Sequence, residues 1–87
     1  MSAADVAFAR ALEHWQAESL QESHAACVDA LRHDAGHVAA AVLASEILLR
    51  VGEAGRGVAL LADVVRRAPE DGAARVLLAR AQRTAAD

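Results

Sequence analysis

The sequence predicts an all-α fold of five antiparallel helices, within one domain that spans residues 1–87. Alanine, the strongest helix former, fills 24 of the 87 positions. The chain holds one Trp, one Phe and no Tyr, whereas strand-rich folds favour aromatic and β-branched residues. Four breaks in the apolar pattern leave five stretches whose length favours helices over strands. These observations exclude an all-β fold.

The first two predicted helices lie on either side of a polar break at residues 19–23. Both carry apolar side chains at the i, i+3, i+4 spacing of a single helical face. In the first helix these are Phe8, Ala11, Leu12 and Trp15, and in the second they are Cys27, Ala30 and Leu31.

Three further breaks, at residues 34–36, 52–55 and 69–72, bound the remaining three helices. We expect Gly52 to end the third helix in a left-handed conformation, and Gly55 or Gly57 to allow close helix approach. Each of these helices also carries side chains at helical spacing, most of them apolar. They are Val38, Ala41, Val42, Ser45, Leu48 and Leu49 in the third helix, Val58, Leu61, Val64, Val65 and Ala68 in the fourth, and Val76, Leu77, Ala79 and Arg80 in the fifth.

Charged residues are spread unevenly along the chain. Nine Arg and no Lys stand against twelve acidic residues, a net charge of −3, which argues against a duplex nucleic-acid partner. Residues 1–49 hold two Arg and seven acidic residues, whereas residues 50–87 hold seven Arg and five acidic residues. This asymmetry fits an unevenly charged protein partner or head-to-tail contacts, or is ordinary surface charge.

A single cysteine and the lack of a long apolar stretch set the expected compartment. Cys27 has no second cysteine for an internal disulfide, so we expect a reducing cytoplasm and a small core residue at this position. The longest uncharged stretch, Ala35–Ser45, is far shorter than the roughly 20 residues that cross a bilayer. We therefore expect no membrane partner.

No set of residues in the sequence matches a catalytic or metal-binding motif. His24 and Cys27 are three residues apart, but no further pair completes the four ligands of a zinc site, and a helix break separates His33 from His37. The glycine-rich segment 52–57 neither follows a strand nor precedes a Lys-Ser/Thr pair, so it is not a phosphate loop. The serines lack a nucleophile elbow. We expect a protein that is not an enzyme and that holds no metal or cofactor.

Apolar and turn residues recur with a period of 34 residues. The pairs are Ala7 and Ala41, Cys27 and Leu61, Ala30 and Val64, Leu31 and Val65, and Ala35 and Pro69. A 34-residue unit of two helices resembles the tetratricopeptide repeat family. In the second unit the family's Leu-Gly, Tyr, turn, large apolar, Ala and closing Pro slots hold Ala44-Ser45, Leu48, Gly52, Leu61, Val64 and Pro69.

The first unit departs further from the family pattern. Here Arg10-Ala11 takes the Leu-Gly slot, His14 the Tyr slot, Ser23 the first Ala slot, Cys27 the large apolar slot and Ala35 the place of the proline. The resemblance implies one repeat at about residues 4–35, a second at about 38–69, and a capping helix at about 72–86. Stacked repeats need a polar terminal cap for solubility, which the arginines of the last helix supply.

The resemblance also implies a binding surface. In this family the first helix of each unit lines a concave groove, which here would carry Phe8, Leu12, Trp15, Val42, Glu46, Leu49, Arg50, Val76, Arg80 and Arg83. Its apolar end would contact hydrophobic side chains, and its arginines would pair with carboxylates of the ligand. The expected function is a non-enzymatic scaffold, adaptor or chaperone-like module that binds a partner peptide or protein.

Two alternatives stay open at the level of sequence. The chain also fits the repeat region of a larger enzyme of the glycosyltransferase, sulfotransferase or hydroxylase type, with the chemistry elsewhere. The second alternative is a structural homodimer formed through the apolar strip of Phe8, Leu12 and Trp15. Phe8 and Trp15 either lie on the groove or supply bulk to an alanine-rich core.

Overall fold

The computed structural model describes all 87 residues as five α-helices joined by short turns. The helices are α1 (Ala3–Gln16), α2 (Leu20–His33), α3 (Val38–Arg50), α4 (Ala54–Arg67) and α5 (Gly72–Ala86). No strand is present, so the predicted all-α fold of five helices is confirmed. None of the helices combines the length and the apolarity needed to cross a bilayer.

Side-chain caps begin the three odd-numbered helices. Each cap accepts a hydrogen bond from a backbone N–H three residues further on: Ser2 from Asp5 at 3.0 Å, His37 from Ala40 at 3.1 Å, and Asp71 from Ala74 at 2.9 Å. Each bond satisfies one of the donors that a helix leaves free in its first turn. No side chain makes such a bond at the start of α2 or α4.

The turn between α1 and α2 occupies residues 17–19, earlier than the predicted break at 19–23. Glu18 makes this turn in the left-handed region, with a φ of 61°. The polar residues that follow are helical because Ser23 packs against α1. Ser23 is fully buried, and its hydroxyl donates to the Ala11 carbonyl at 2.8 Å.

Two glycines take the roles that the sequence predicted. Gly52 follows α3 with a φ of 83°, a conformation that suits a residue without a side chain. Gly57 is buried in α4, where a Cβ atom would lie 3.6 Å from the Ser45 carbonyl oxygen and 3.7 Å from Leu48 Cβ. A small residue at position 57 therefore lets α4 approach α3 closely.

The helices pack in sequence order around α3. Each helix contacts the next one along the chain, and α3 also contacts both α1 and α5. The three odd-numbered helices thus form a row with α3 in the middle. This arrangement is compatible with stacked helical hairpins, and membership of the tetratricopeptide family stays a prediction.

Small side chains make up most of the core. Three of the four core clusters contain three residues each, one from each of three consecutive helices. They are Ala7, Ala30 and Ala40; Ala11, Cys27 and Ala44; and Ala41, Val64 and Ala74. The fourth joins Leu61 of α4 to Leu77 and Ala81 of α5. Small residues at these points allow short distances between the helix axes. Cys27 is fully buried, which confirms its predicted place in the core.

Candidate protein-binding groove

A groove of about 880 Å³ runs along α3 and is lined by residues from α1, from α3, and from α5 and its cap. Eight of its twelve lining residues are hydrophobic. The lining comprises Trp15, then Val38, Ala39, Val42, Leu43 and Glu46, then Asp71, Gly72, Ala73, Val76, Leu77 and Arg80. The contributing helices are those that the family resemblance assigns to the concave face. Five of the ten predicted residues line this groove.

Trp15 bounds the groove on the α1 side and carries an arginine over its ring. The guanidinium carbon of Arg50 lies 4.5 Å from the centroid of the Trp15 ring, which is cation–π geometry. Trp15 is half-buried and Arg50 is exposed. Arg50 forms no salt bridge, so its N–H groups stay available to a carboxylate.

An ion pair joins α3 to α5 along the groove. Arg80 of α5 donates through Nη2 to the Oε2 atom of Glu46 on α3, and both side chains line the groove. The Glu46 side chain is 28% exposed and the Arg80 side chain 50%. The pair neutralises both groups and occupies donors of Arg80 that the sequence analysis assigned to a ligand.

The α5 side of the groove presents an exposed valine. Val76 is 71% exposed, more than any other large hydrophobic residue except Met1. Val42 on α3 lines the same groove and is half-buried. Arg83, in the last turn of α5, is exposed and forms no salt bridge. The apolar lining therefore lies beside Arg50, which sits over Trp15, while Arg83 follows Val76 by seven residues on the same face of α5. Neither cation has an acidic partner.

Five predicted residues lie outside the groove lining: Arg50 and Arg83, described above, and Phe8, Leu12 and Leu49. Phe8 is half-buried, packs against two of the core clusters and contacts the His37 ring at a centroid distance of 5.1 Å, with the two rings tilted by 46°. Leu49 packs against the Leu61 cluster. Leu12 is 39% exposed and does not line the groove. Of the two aromatic residues, Phe8 thus contributes to the core and Trp15 to the groove.

Seven groove residues were not among the predicted set. These are Val38, Ala39, Leu43, Asp71, Gly72, Ala73 and Leu77. The spacing held a signal for Val38, which precedes Val42 by four residues and so shares its helical face. The same spacing relates Gly72 and Ala73 to Val76, whereas Asp71, the cap before α5, lies outside the helical pattern and carried no such signal.

A second cavity, of about 230 Å³, lies among the starts of α2 and α4 and the end of α3. Burial, together with the positive charge of Arg56, lowers the pKa of His24 at its edge. Glu53 lies 3.7 Å from Arg56 and partly neutralises it. Nowhere in the chain do three or more His, Cys, Asp or Glu side chains come together in a way that would hold a metal ion. The larger, mostly apolar groove is therefore the candidate binding site.

No family model, curated protein or solved structure matches this chain. The tetratricopeptide resemblance is therefore untested by any relative, and the groove itself is the basis on which a function is proposed.

Proposed function

We propose that this protein is a non-enzymatic protein-binding module, and that the groove between α1 and α5 binds a segment of a partner peptide or protein. The observation that carries the proposal is the mostly apolar groove, with Trp15 on one side and Val76 on the other. Ligand sites are commonly concave and apolar with a few polar groups that fix orientation, and this groove has that composition.

The apolar lining supplies the attraction for a partner. Burying a fully exposed valine contributes about 1.5 to 3 kcal/mol, and Val76 is 71% exposed. Tryptophan is enriched among interface residues that cost about 2 kcal/mol or more on truncation. Trp15 is half-buried, with Arg50 over its ring, so its position is fixed before a partner binds. A partner is therefore expected to place apolar side chains between Trp15 and Val76.

The charges near the groove favour acidic side chains in the partner. Arg50 and Arg83 have no carboxylate partner, whereas Arg80 is already paired with Glu46. We therefore assign carboxylate recognition to Arg50 and Arg83, and a positioning role between α3 and α5 to Arg80. Exposed ion pairs act mainly on association rate and specificity, so this recognition is expected to weaken as salt rises.

The test uses short random peptides displayed on phage and selected against the full chain. Trp15 is the only tryptophan and the chain has no tyrosine, so the emission of Trp15 reports directly from the groove. We expect selected peptides to carry apolar and acidic residues and to change this emission on titration. Val76→Asp is expected to weaken their binding at least tenfold.

Val6→Asp is the matched control, because Val6 is an exposed valine of α1, 45% accessible, that does not line the groove. It should leave binding unchanged. Arg83→Ala should weaken binding at low salt only. Selection that yields no peptide able to change Trp15 emission, or binding that survives Val76→Asp, would overturn the proposal.

Sedimentation of the chain without peptide tests whether a second copy of the chain occupies the groove. Self-association that Val76→Asp removes and Val6→Asp retains would mean that the groove takes a second copy of the chain instead of a different partner.

A further inference from the structure

His37 connects the start of α3 to α1 through both of its ring nitrogens. Nδ1 lies 3.1 Å from the backbone nitrogen of Ala40 and caps α3. Nε2 lies 3.3 Å from Asp5 Oδ1 on α1. The imidazole also packs against the ring of Phe8 of α1, and the His37 side chain is only 12% exposed.

The hydrogen-bond partners of His37 determine where its proton lies. A backbone N–H can only donate, so Nδ1 must offer a lone pair to Ala40. In a neutral imidazole the other nitrogen then carries the hydrogen, and Nε2–H donates to the Asp5 carboxylate. The neutral ring thus satisfies both neighbours at once.

We propose that His37 is a pH-sensitive switch at the edge of the groove, which caps α3 when neutral and gives up that cap when protonated. Protonation places a hydrogen on Nδ1, which then faces the N–H of Ala40, and two donors cannot bond to each other. The charged ring keeps its bond to Asp5 and loses its bond to α3. Val38 and Ala39, in the uncapped turn, line the groove.

Charged groups from three elements face this ring. Asp5 on α1 is 58% exposed, and hydrogen bonds from the Ser2 side chain and from His37 lower its pKa, so Asp5 is ionised when imidazoles titrate. Asp34, in the preceding turn, accepts from the Gly36 N–H at 3.0 Å.

On α4, Asp63 and Arg67 line the same small cavity as His37, but they pair with each other at 2.9 Å. The positive end of the α3 dipole disfavours a charge on the imidazole, whereas Asp5 favours it. The ring therefore makes two contacts with opposite requirements. Its bond to Ala40 of α3 needs the neutral form, whereas its bond to Asp5 of α1 becomes stronger when the ring is charged.

The test is nuclear magnetic resonance of the full chain at a series of pH values between about 5.5 and 8, the range in which histidine side chains change charge. At the upper end we expect the His37 ring to carry its hydrogen on Nε2. As the pH falls, the Ala40 amide should follow the titration of His37. Its exchange with solvent, corrected for the intrinsic rate, should accelerate by about fivefold, the equivalent of one helix cap.

His37→Asn is the decisive variant, because asparagine is a good helix cap that does not titrate. His37→Asn retains His33, so an effect of His33 on the Ala40 amide would remain visible in this variant. If His37 is the switch, the Ala40 amide should show no pH response once His37 is replaced. Asp5→Asn removes the negative charge on α1 but keeps an oxygen that can accept from Nε2–H, so the cap should persist at high pH.

A hydrogen on Nδ1 at high pH would overturn the switch, and so would an Ala40 response that survives His37→Asn. Neither readout uses a groove ligand, so the switch and the proposed binding function stand or fall separately.

Discussion

Cys27 shows how burial alone determines the chemistry of a side chain in this small protein. It lies between Ala11 of α1 and Ala44 of α3 with no exposed surface. Removal from water raises the pKa of the thiol from 9.0 to about 11, because desolvation disfavours the thiolate. The thiolate is the reactive form, so Cys27 is an inert core residue at neutral pH.

The raised pKa of Cys27 predicts a loss of stability in alkaline solution. The unfolded chain releases the thiol proton near pH 9 and the folded chain near pH 11, so the free energy of unfolding should fall as the pH rises between these values. No lysine or tyrosine titrates in that range, because the chain contains neither. Urea unfolding at a series of pH values measures the effect. Cys27→Ala should remove the slope, and a slope that persists in this variant would contradict the assignment.

At the scale of helices, segments of helically spaced apolar residues, separated by turn-forming segments, were enough to predict all five helices. Gly52 and the 69–72 break ended α3 and α4 where predicted, because glycine conformation and proline geometry are local properties. The 19–23 break was predicted wrongly, since the burial of Ser23 against the Ala11 carbonyl depends on a second helix. Tertiary packing therefore overrode a local polar pattern.

The hydroxyl of Ser23 is expected to stabilise the packing of α2 against α1 and so to raise the free energy of unfolding. Ser45 is a matched control, since it is also fully buried and donates to a carbonyl, that of Ala41, but within its own helix. Both Ser→Ala changes gain similar helix propensity, so their difference isolates the inter-helix bond. Ser23→Ala should lower the free energy of unfolding by about 1 kcal/mol more than Ser45→Ala. Equal values in chemical denaturation would show that the bond does not stabilise the pair.

The groove could be predicted from sequence only in part, for a physical reason that its charged residues illustrate. The 34-residue spacing brought Glu46 and Arg80 to the same face, and they do lie together. Sequence spacing cannot reveal that these two side chains form an ion pair, because the pair depends on the distance between α3 and α5. It also cannot separate Phe8, which packs on the core, from Trp15, which lines the groove.

For the whole molecule, the three-helix clusters link the two predicted repeats. Ala40 and Ala44 of α3 pack with residues of α1 and α2, while Ala41 packs with residues of α4 and α5. The same helix thus belongs to both halves of the core. Repeat arrays unfold together when the interfaces between units are strong relative to the units themselves. This arrangement favours one cooperative transition over separate unfolding of each hairpin.

Leu61→Ala tests that cooperativity. Leu61 of α4 is fully buried against Leu77 and Ala81, so its truncation should cost about 2 to 5 kcal/mol. A domain of this size is stable by only about 4 to 13 kcal/mol. Far-ultraviolet circular dichroism follows all five helices, whereas Trp15 emission follows α1 and the groove.

If the chain unfolds as one unit, both signals of Leu61→Ala should have the same urea midpoint, below that of the unmodified chain. The reason is that α3 transmits the loss of packing in α4 to α1. Val51→Ala, at a valine that is 54% exposed, is the control and should leave both midpoints near those of the unmodified chain. The opposite result is a helical signal that decays in two steps while Trp15 keeps the midpoint of the unmodified chain. The hairpins would then be independent, and α3 would not couple them.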